Sequence, residues 1–306
     1  MGEEVMVCEV GPRDGLQMAH GRMPTDIKIR WIEAIAAAGV REVEVGSFVP
    51  PRVVPQMADT GDVVRALAGR PGLLVIALAP NLRGAQDAVA AGAGRISVPV
   101  SVSLGHSRAN LNRTPAEQVA EVGRIVSFVR AQAPGVSVEA ACSTAFGCSI
   151  DGVVAERDVV ALAAAVAETG VDSLALADTV GYAHPAQIRS TVRAVRGAVG
   201  GLLDGLHLHD TMGLGLANAL AGLEEGIRAF DSALAGLGGC PFAPGASGNI
   251  VTEDLVFMLE SMGFETGIDL SRLLEARTLL AEGLPDEPRH GAVARAGVPR
   301  TFRAAA

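Results

Sequence analysis

The stretch GLHLHDTMGLGLANALAGLEEGI (residues 205–227) holds one copy of the unit that organises the whole chain. Gly205–His209 reads as a short strand, Asp210 to Leu214 as a polar, glycine-broken turn, and residues 215–227 as an Ala- and Leu-rich amphipathic helix. Outward from it, the same strand, turn and helix recur at a spacing of roughly 30 to 40 residues. Strands are expected at Val5–Val10, Glu42–Gly46, Leu73–Ala79, Arg95–Val100, Ser137–Ala141, Ser173–Ala177, Gly205–His209 and Asp231–Ala235. Helices are expected near 25–38, 59–68, 82–91, 115–132, 153–169, 185–197, 215–227 and 251–262, with one more near 270–282. Eight strands, each followed by a helix, are the pattern of a (β/α)8 TIM barrel. A doubly wound sheet is the rival, but no G-x-G-x-x-G loop follows a strand to support it. Residues 1–283 are read as one barrel domain and 284–306 as a loosely ordered tail.

Composition narrows the function. The 306 residues carry 25 Lys and Arg against 34 Asp and Glu, a formal net charge of −9, with no basic run. Nucleic acid and anionic membrane surfaces are therefore not expected partners. No apolar stretch approaches the roughly 18 residues of a membrane span. Chemically loaded residues begin at Arg13, so no leader peptide is expected. The four cysteines, Cys8, Cys142, Cys148 and Cys240, form no C-x-x-C pair, which suggests a reducing cytoplasm. Lys28 is the only lysine, and it lies in a helical first turn (Pro24–Ile32) and not at a strand end. Schiff-base aldolase and pyridoxal chemistry need an active-site lysine, so carbanion chemistry here calls for a metal or another electron sink.

In a barrel of this kind, active sites form at the C-terminal ends of the strands. Arg13 and Asp14 follow the first strand, Glu44 lies late in the second, and Asp178 ends the sixth. His207 and His209 end the seventh, and Cys240 follows the eighth. Residues two apart on a strand share a face, so His207 and His209 can bind one divalent cation together with Asp14. The tight turn Gly11-Pro12-Arg13-Asp14-Gly15 aims a cation for an oxyanion and a carboxylate for the metal. The Gly-rich stretch from Leu237 to Asn249 reads as a mobile loop carrying one thiol, Cys240, that can move a proton. Cys8, Cys142 and Cys148 read as packing residues, and His20, His106, His184 and His290 as surface or loop histidines.

These motifs resemble the 3-hydroxy-3-methylglutaryl-CoA lyase family. The likeness rests on Glu9–Gln17 (EVGPRDGLQ), Ser47-Phe48-Val49 through Val54-Pro55-Gln56-Met57, His207–Thr211 (HLHDT), and Gly236–Pro241 continuing to Asn249. It runs from about residue 5 to 270. The resemblance implies a metal-dependent lyase that cleaves a 3-hydroxyacyl-CoA, with Mg2+ or Mn2+ as cofactor and an acyl-CoA thioester as substrate. It also implies a homodimer and a place in leucine catabolism and ketone-body formation. It implies Asp14, His207, His209 and Asn249 as metal ligands, Arg13 as the enolate stabiliser and Cys240 as acid/base. Glu44 and Asp178 fall where the family has supporting acids. Gln17, Ser47 and Asn110 fall at substrate-pocket positions. Three departures bear on the acyl group: Met18-Ala19 after the opening motif, Ala175 in the pocket strand, and Tyr182-Ala183-His184 after strand six. They leave a related substrate such as citramalyl-CoA open. A Claisen-type synthase of the isopropylmalate or homocitrate kind is the competing enzyme, but those relatives usually carry Glu where Leu16 stands. A non-catalytic metal- or CoA-binding barrel is the competing non-enzyme, and it predicts the loss of a residue such as Arg13 or Cys240.

Overall fold

The computed structural model describes residues 2–238 and 248–304. Eight parallel strands are present: β1 (Met6–Glu9), β2 (Glu42–Ser47), β3 (Leu74–Leu78), β4 (Arg95–Ser101), β5 (Ser137–Ser143), β6 (Ser173–Asp178), β7 (Leu203–Leu208) and β8 (Ala229–Ser232). Each pairs with the next, and β8 pairs back onto β1, so the sheet closes into the expected barrel. The helices are α1 (Leu16–Met18), α2 (Thr25–Ala37), α3 (Thr60–Leu67), α4 (Leu82–Ala91), α5 (Leu104–Leu111), α6 (Pro115–Gln132), α7 (Glu156–Ala167), α8 (Pro185–Val199), α9 (Gly215–Glu224), α10 (Thr252–Ser261), α11 (Leu270–Gly283) and α12 (Ala292–Ala296).

Local chemistry accounts for several boundaries. Thr114 and Glu117 form a reciprocal capping box at the start of α6, satisfying two otherwise orphaned amides. Asn81 caps α4 by accepting from the Gly84 amide at 2.9 Å. Several expectations shift, and β7 for one begins at Leu203, two residues before the expected Gly205. The eighth strand begins at Ala229, two residues before the expected Asp231, because Phe230 still packs outward into the core while its neighbours face inward. Residues Leu234–Gly236 then turn as a short helical segment, with Ala235 at φ 63°. Helix α5 was not expected at all, since its polar sequence has no apolar stripe. Its readable signal is the cap, Ser103, which accepts from the His106 amide at 3.1 Å.

Strand positions alternate between the two sides, with irregularities at Glu44/Gly46 and at Leu174/Ala175. Val43 and Val45 of β2, and Ile96 and Val98 of β4, are buried in the layer shared with the helices, where Trp31, Ile32 and Ile35 of α2 are fully covered. The inward positions differ from the branched apolar layers that usually fill such barrels. Small residues (Cys8, Ala175, Gly205, Ala229) stand among Glu42, Arg95 and Glu139, leaving an interior cavity of about 220 Å³. A second cavity of about 290 Å³ lies toward the C-terminal mouth, and Ser97 and Asp231 line both.

Beyond α11 the chain lies against the barrel. The His290 amide donates to Ala235 O at 2.8 Å. The Ala292 and Val293 amides donate to the Asp254 carboxylate at 2.7 and 2.8 Å. Phe302 stacks on Phe257 with ring centroids 5.3 Å apart. Among the described residues, no helix is long and apolar enough to cross a membrane.

Candidate active site and metal centre

The chain leaves β1 through one wide turn over Gly11–Gly15, in which the amides of Arg13, Asp14 and Gly15 converge on Val10 O at 3.1, 2.7 and 3.4 Å. Wide turns of this kind recur at functional sites because they redirect two adjacent side chains. The buried Glu9 carboxylate anchors the turn. It accepts from the amides of Gly11 (2.9 Å) and Leu234 (2.8 Å) and from the Thr252 hydroxyl (2.7 Å), tying together β1, β8 and α10. A side chain at Gly11 would press against that same carboxylate, 2.4 Å away, so glycine is required there.

The turn delivers Arg13 between two acids. Its Nε donates to Glu44 Oε2 and its Nη1 to Asp14 Oδ1, each at 2.5 Å. Burial works against the guanidinium charge, but the fields of Glu44 and Asp14 outweigh it and hold the proton more tightly than usual. The other oxygen of Asp14, Oδ2, accepts from Asn249 Nδ2 at 2.8 Å and stands 3.4 Å from His209 Nε2 and 3.9 Å from His207 Nε2. The two imidazole Nε2 atoms are 3.1 Å apart. Burial would raise the Asp14 carboxyl, but Arg13 and the two histidines hold it well below the usual carboxylate range. Burial also opposes a charge on His207, but the hydrogen bond to Asp231 and the field of Asp14 prevail and raise its pKa.

Asp14, His207 and His209 are the one cluster of metal-ligating spacing among the described residues. Ligand atoms about 2.1 Å from an octahedral ion, at right angles, stand about 3 Å from one another. The observed 3.1 to 3.9 Å separations fit that pattern. Two buried nitrogens 3.1 Å apart with both lone pairs facing would repel unless a proton or a cation lay between them. Three buried polar atoms nearby point the same way: among the described residues, Asn249 Oδ1, Glu44 Oε1 and His209 Nδ1 have no hydrogen-bond partner. A divalent cation with two imidazoles, a carboxylate and an amide oxygen therefore suits these residues.

Arg13, Asp14, His207 and His209 line the 290 Å³ cavity, and so do Gln17 and Asn110, two of the expected substrate residues. Ser47 lies buried at the end of β2, its amide donating to Thr60 Oγ1 at 3.1 Å, and is not among the lining residues. Asp178 does not line the cavity either. Its carboxylate accepts from the amides of Tyr182 (3.0 Å) and Ala183 (3.1 Å) and so holds the turn between β6 and α8. Cys240 lies outside the described residues. The chain departs at Gly238, whose φ is +110° and whose missing side chain leaves room for Asn249 Nδ2 and Gly15, and resumes at Gly248. A Cβ on Gly248 would fall 1.8 Å from Gly238 O, so the two ends meet beside Asp14.

Two cavity residues escaped the sequence reading. His106 was taken for a surface or loop histidine, but it is buried and lines the cavity, with Nδ1 2.8 Å from Ser101 Oγ. Asp231 was taken as the start of a strand. It faces inward, 3.0 Å from His207 Nδ1. Its signal is the alternation of β8, legible once the strand is begun at Ala229. The other histidines are peripheral, and His184 serves as the cap of α8.

The sequence profile of the HMGL-like family matches residues 4–280. The chain is 41% identical over 282 residues to the mitochondrial hydroxymethylglutaryl-CoA lyase of Mus musculus, covering 92% of this chain and 86% of that protein. It is 40% identical over 305 residues to the (R)-citramalyl-CoA lyase of Chloroflexus aurantiacus, covering 96% and 95%. A solved structure of an HMG-CoA lyase from Acinetobacter baumannii, in complex with coenzyme A and 3-methylmalate, superposes with a TM-score of 0.91 at 39% identity, covering 98% of this chain and 97% of that one.

Proposed function

Because this chain belongs to the HMGL-like family, we propose that it is a divalent-metal-dependent carbon–carbon lyase that splits 3-hydroxy-3-methylglutaryl-CoA into acetyl-CoA and acetoacetate. The observation that carries the reading is the convergence of Asp14 Oδ2, His207 Nε2 and His209 Nε2 within 3.9 Å beside the Arg13 guanidinium. Asp14, His207, His209 and Asn249 would hold Mg2+ or Mn2+. When bound, such an ion supplies Lewis-acid polarisation of the substrate's 3-hydroxyl.

This chain's own residues do the rest. Asp14 takes the 3-hydroxyl proton. The C2–C3 bond then breaks: C3 becomes the ketone of acetoacetate, and the bonding pair passes into a thioester enolate. Arg13 stabilises the enolate oxygen, held in aim by Glu44. Cys240 delivers a proton to C2, completing acetyl-CoA. Gln17 and Asn110 position the acyl chain at the cavity wall.

Citramalyl-CoA is the second substrate reading. It is favoured by the near full-length match to a citramalyl-CoA lyase. A homodimer belongs to the same reading, and so does a reducing cytoplasm, which the buried free thiols of Cys8, Cys142 and Cys148 suit. The test is acetyl-CoA release from a panel of 3-hydroxyacyl-CoA thioesters, with EDTA and with Mn2+ added back. Loss with chelator and recovery with Mn2+ is expected. Turnover indifferent to chelation on every active substrate would overturn the metal mechanism, and no acetyl-CoA from any thioester would overturn the lyase.

A further inference from the structure

The two histidines of the site are held in different ways. His209 Nδ1 is buried with no hydrogen-bond partner. His207 Nδ1 is 3.0 Å from Asp231 Oδ2. The parallel register of β7 and β8 sets His207 directly beside Asp231, and both point inward. A neutral imidazole carries its proton on one nitrogen only, and the choice decides which nitrogen offers a lone pair. A carboxylate oxygen accepts and does not donate, so a proton on Nδ1 satisfies this contact and a proton on Nε2 does not. With the proton on Nδ1, the Nε2 lone pair faces His209 and Asp14. Among the described residues Asp231 has no comparable engagement elsewhere: the guanidinium of Arg95 is taken by Glu42 at 2.7 and 3.2 Å.

We propose that Asp231 is a positioning residue, fixing the His207 ring in its Nδ1–H tautomer with the Nε2 lone pair presented toward Asp14, and thereby setting the affinity of the site for a divalent cation. Carboxylate partners on metal-facing histidines act in this way, and their loss typically costs about 10- to 100-fold in metal affinity or activity. The affinity half of the proposal rests on the metal-lyase reading above, and the tautomer half stands without it. Asp231 borders both interior cavities, so a smaller polar replacement meets open space and needs no repacking.

The experiment uses metal-free, 15N-labelled full chain at a pH where the imidazoles are neutral, with long-range 1H–15N spectra reporting the tautomer. His207 in the unaltered protein is expected to be Nδ1–H. Asp231→Ala should give a mixture, and Asp231→Asn, which keeps an acceptor oxygen, should restore the tautomer in part. Mn2+ titration followed by electron paramagnetic resonance should show affinity about 10- to 100-fold weaker for Ala and less weakened for Asn. If Ala fails to fold, Asp231→Ser, too short to reach Nδ1, takes its place. An Nε2–H tautomer in the unaltered protein, or a tautomer and Mn2+ affinity unchanged in Ala or Ser, overturns the proposal. No Mn2+ binding by the unaltered protein would instead sink the metal reading, and the spectra would still decide the tautomer.

Discussion

At the N-terminal end of the barrel interior, Arg95 grips Glu42 through two nitrogens and stands 3.7 Å from Glu139. At the C-terminal end, Arg13 is divided between Glu44 and Asp14. Both ends bury a guanidinium among carboxylates, yet they are finished differently. No buried side-chain atom of Glu42, Arg95 or Glu139 is left without a partner, whereas Glu44 Oε1, His209 Nδ1 and Asn249 Oδ1 all are. Charge inside a barrel therefore does not mark a site. What distinguishes the C-terminal end is that three open valences gather beside Asp14, where a ligand can recover the free energy that unmet buried groups cost.

Four perturbations can break or sharpen that contrast. The largest effect should come from Asp14→Ala, which removes a proposed ligand itself and so should exceed the roughly 100-fold upper range for an outer partner. Turnover and Mn2+ titration should both collapse, and retained binding would separate Asp14 from the metal. Next, Arg13→Ala should lower kcat by about 10²- to 10³-fold with a smaller change in KM, as for loss of an oxyanion donor. At the other end, Arg95→Met should cost about 3–5 kcal/mol in denaturant unfolding, because it strands Glu42 and Glu139. Turnover of the folded protein at low temperature should persist, and its abolition would show the two ends to be one machine.

The smallest effect concerns pH. Burial and the field of Asp231 push the Glu139 carboxyl from its ordinary 4.5 to about 8. Its proton is thus held more tightly in the folded state than in the unfolded one. Stability from this group is full below about 4.5 and is lost as pH rises toward about 8. Glu139→Gln lacks that loss, so its melting temperature relative to the unaltered protein should climb across this window by roughly 2–4 °C per kcal/mol relieved. A flat difference would mean that Arg95 already compensates Glu139 fully.

The sequence made most of the barrel legible because strand and helix periods repeat unit after unit, and α4 and α6 begin and end where expected. The Asp14–His207–His209 grouping was legible too, since residues two apart on a strand must share a face. Contacts between strands were not. His207 against Asp231 depends on the register of β7 with β8, and starting β8 two residues late hid it. His106 was misread because its helix has no apolar stripe, so nothing local says which side faces the cavity. Asp178 is a similar case: its place at a strand end was legible, but not that its two oxygens accept from the Tyr182 and Ala183 amides.

The meeting of Gly238 with Gly248 has a consequence for how such a protein can change. Gly238 and Gly248, which flank residues 239–247, meet at a single point, and both sides are tied down: the Asn249 side chain donates to Leu237 O at 3.2 Å, and Gly248 O accepts from the Asp210 amide at 3.1 Å. The strand register on either side does not depend on how many residues lie between. Doubling the length of such an excursion adds only about 0.6 kcal/mol of closure entropy. The number of residues between Gly238 and Gly248 can therefore change, by selection or by design, without re-registering a single strand.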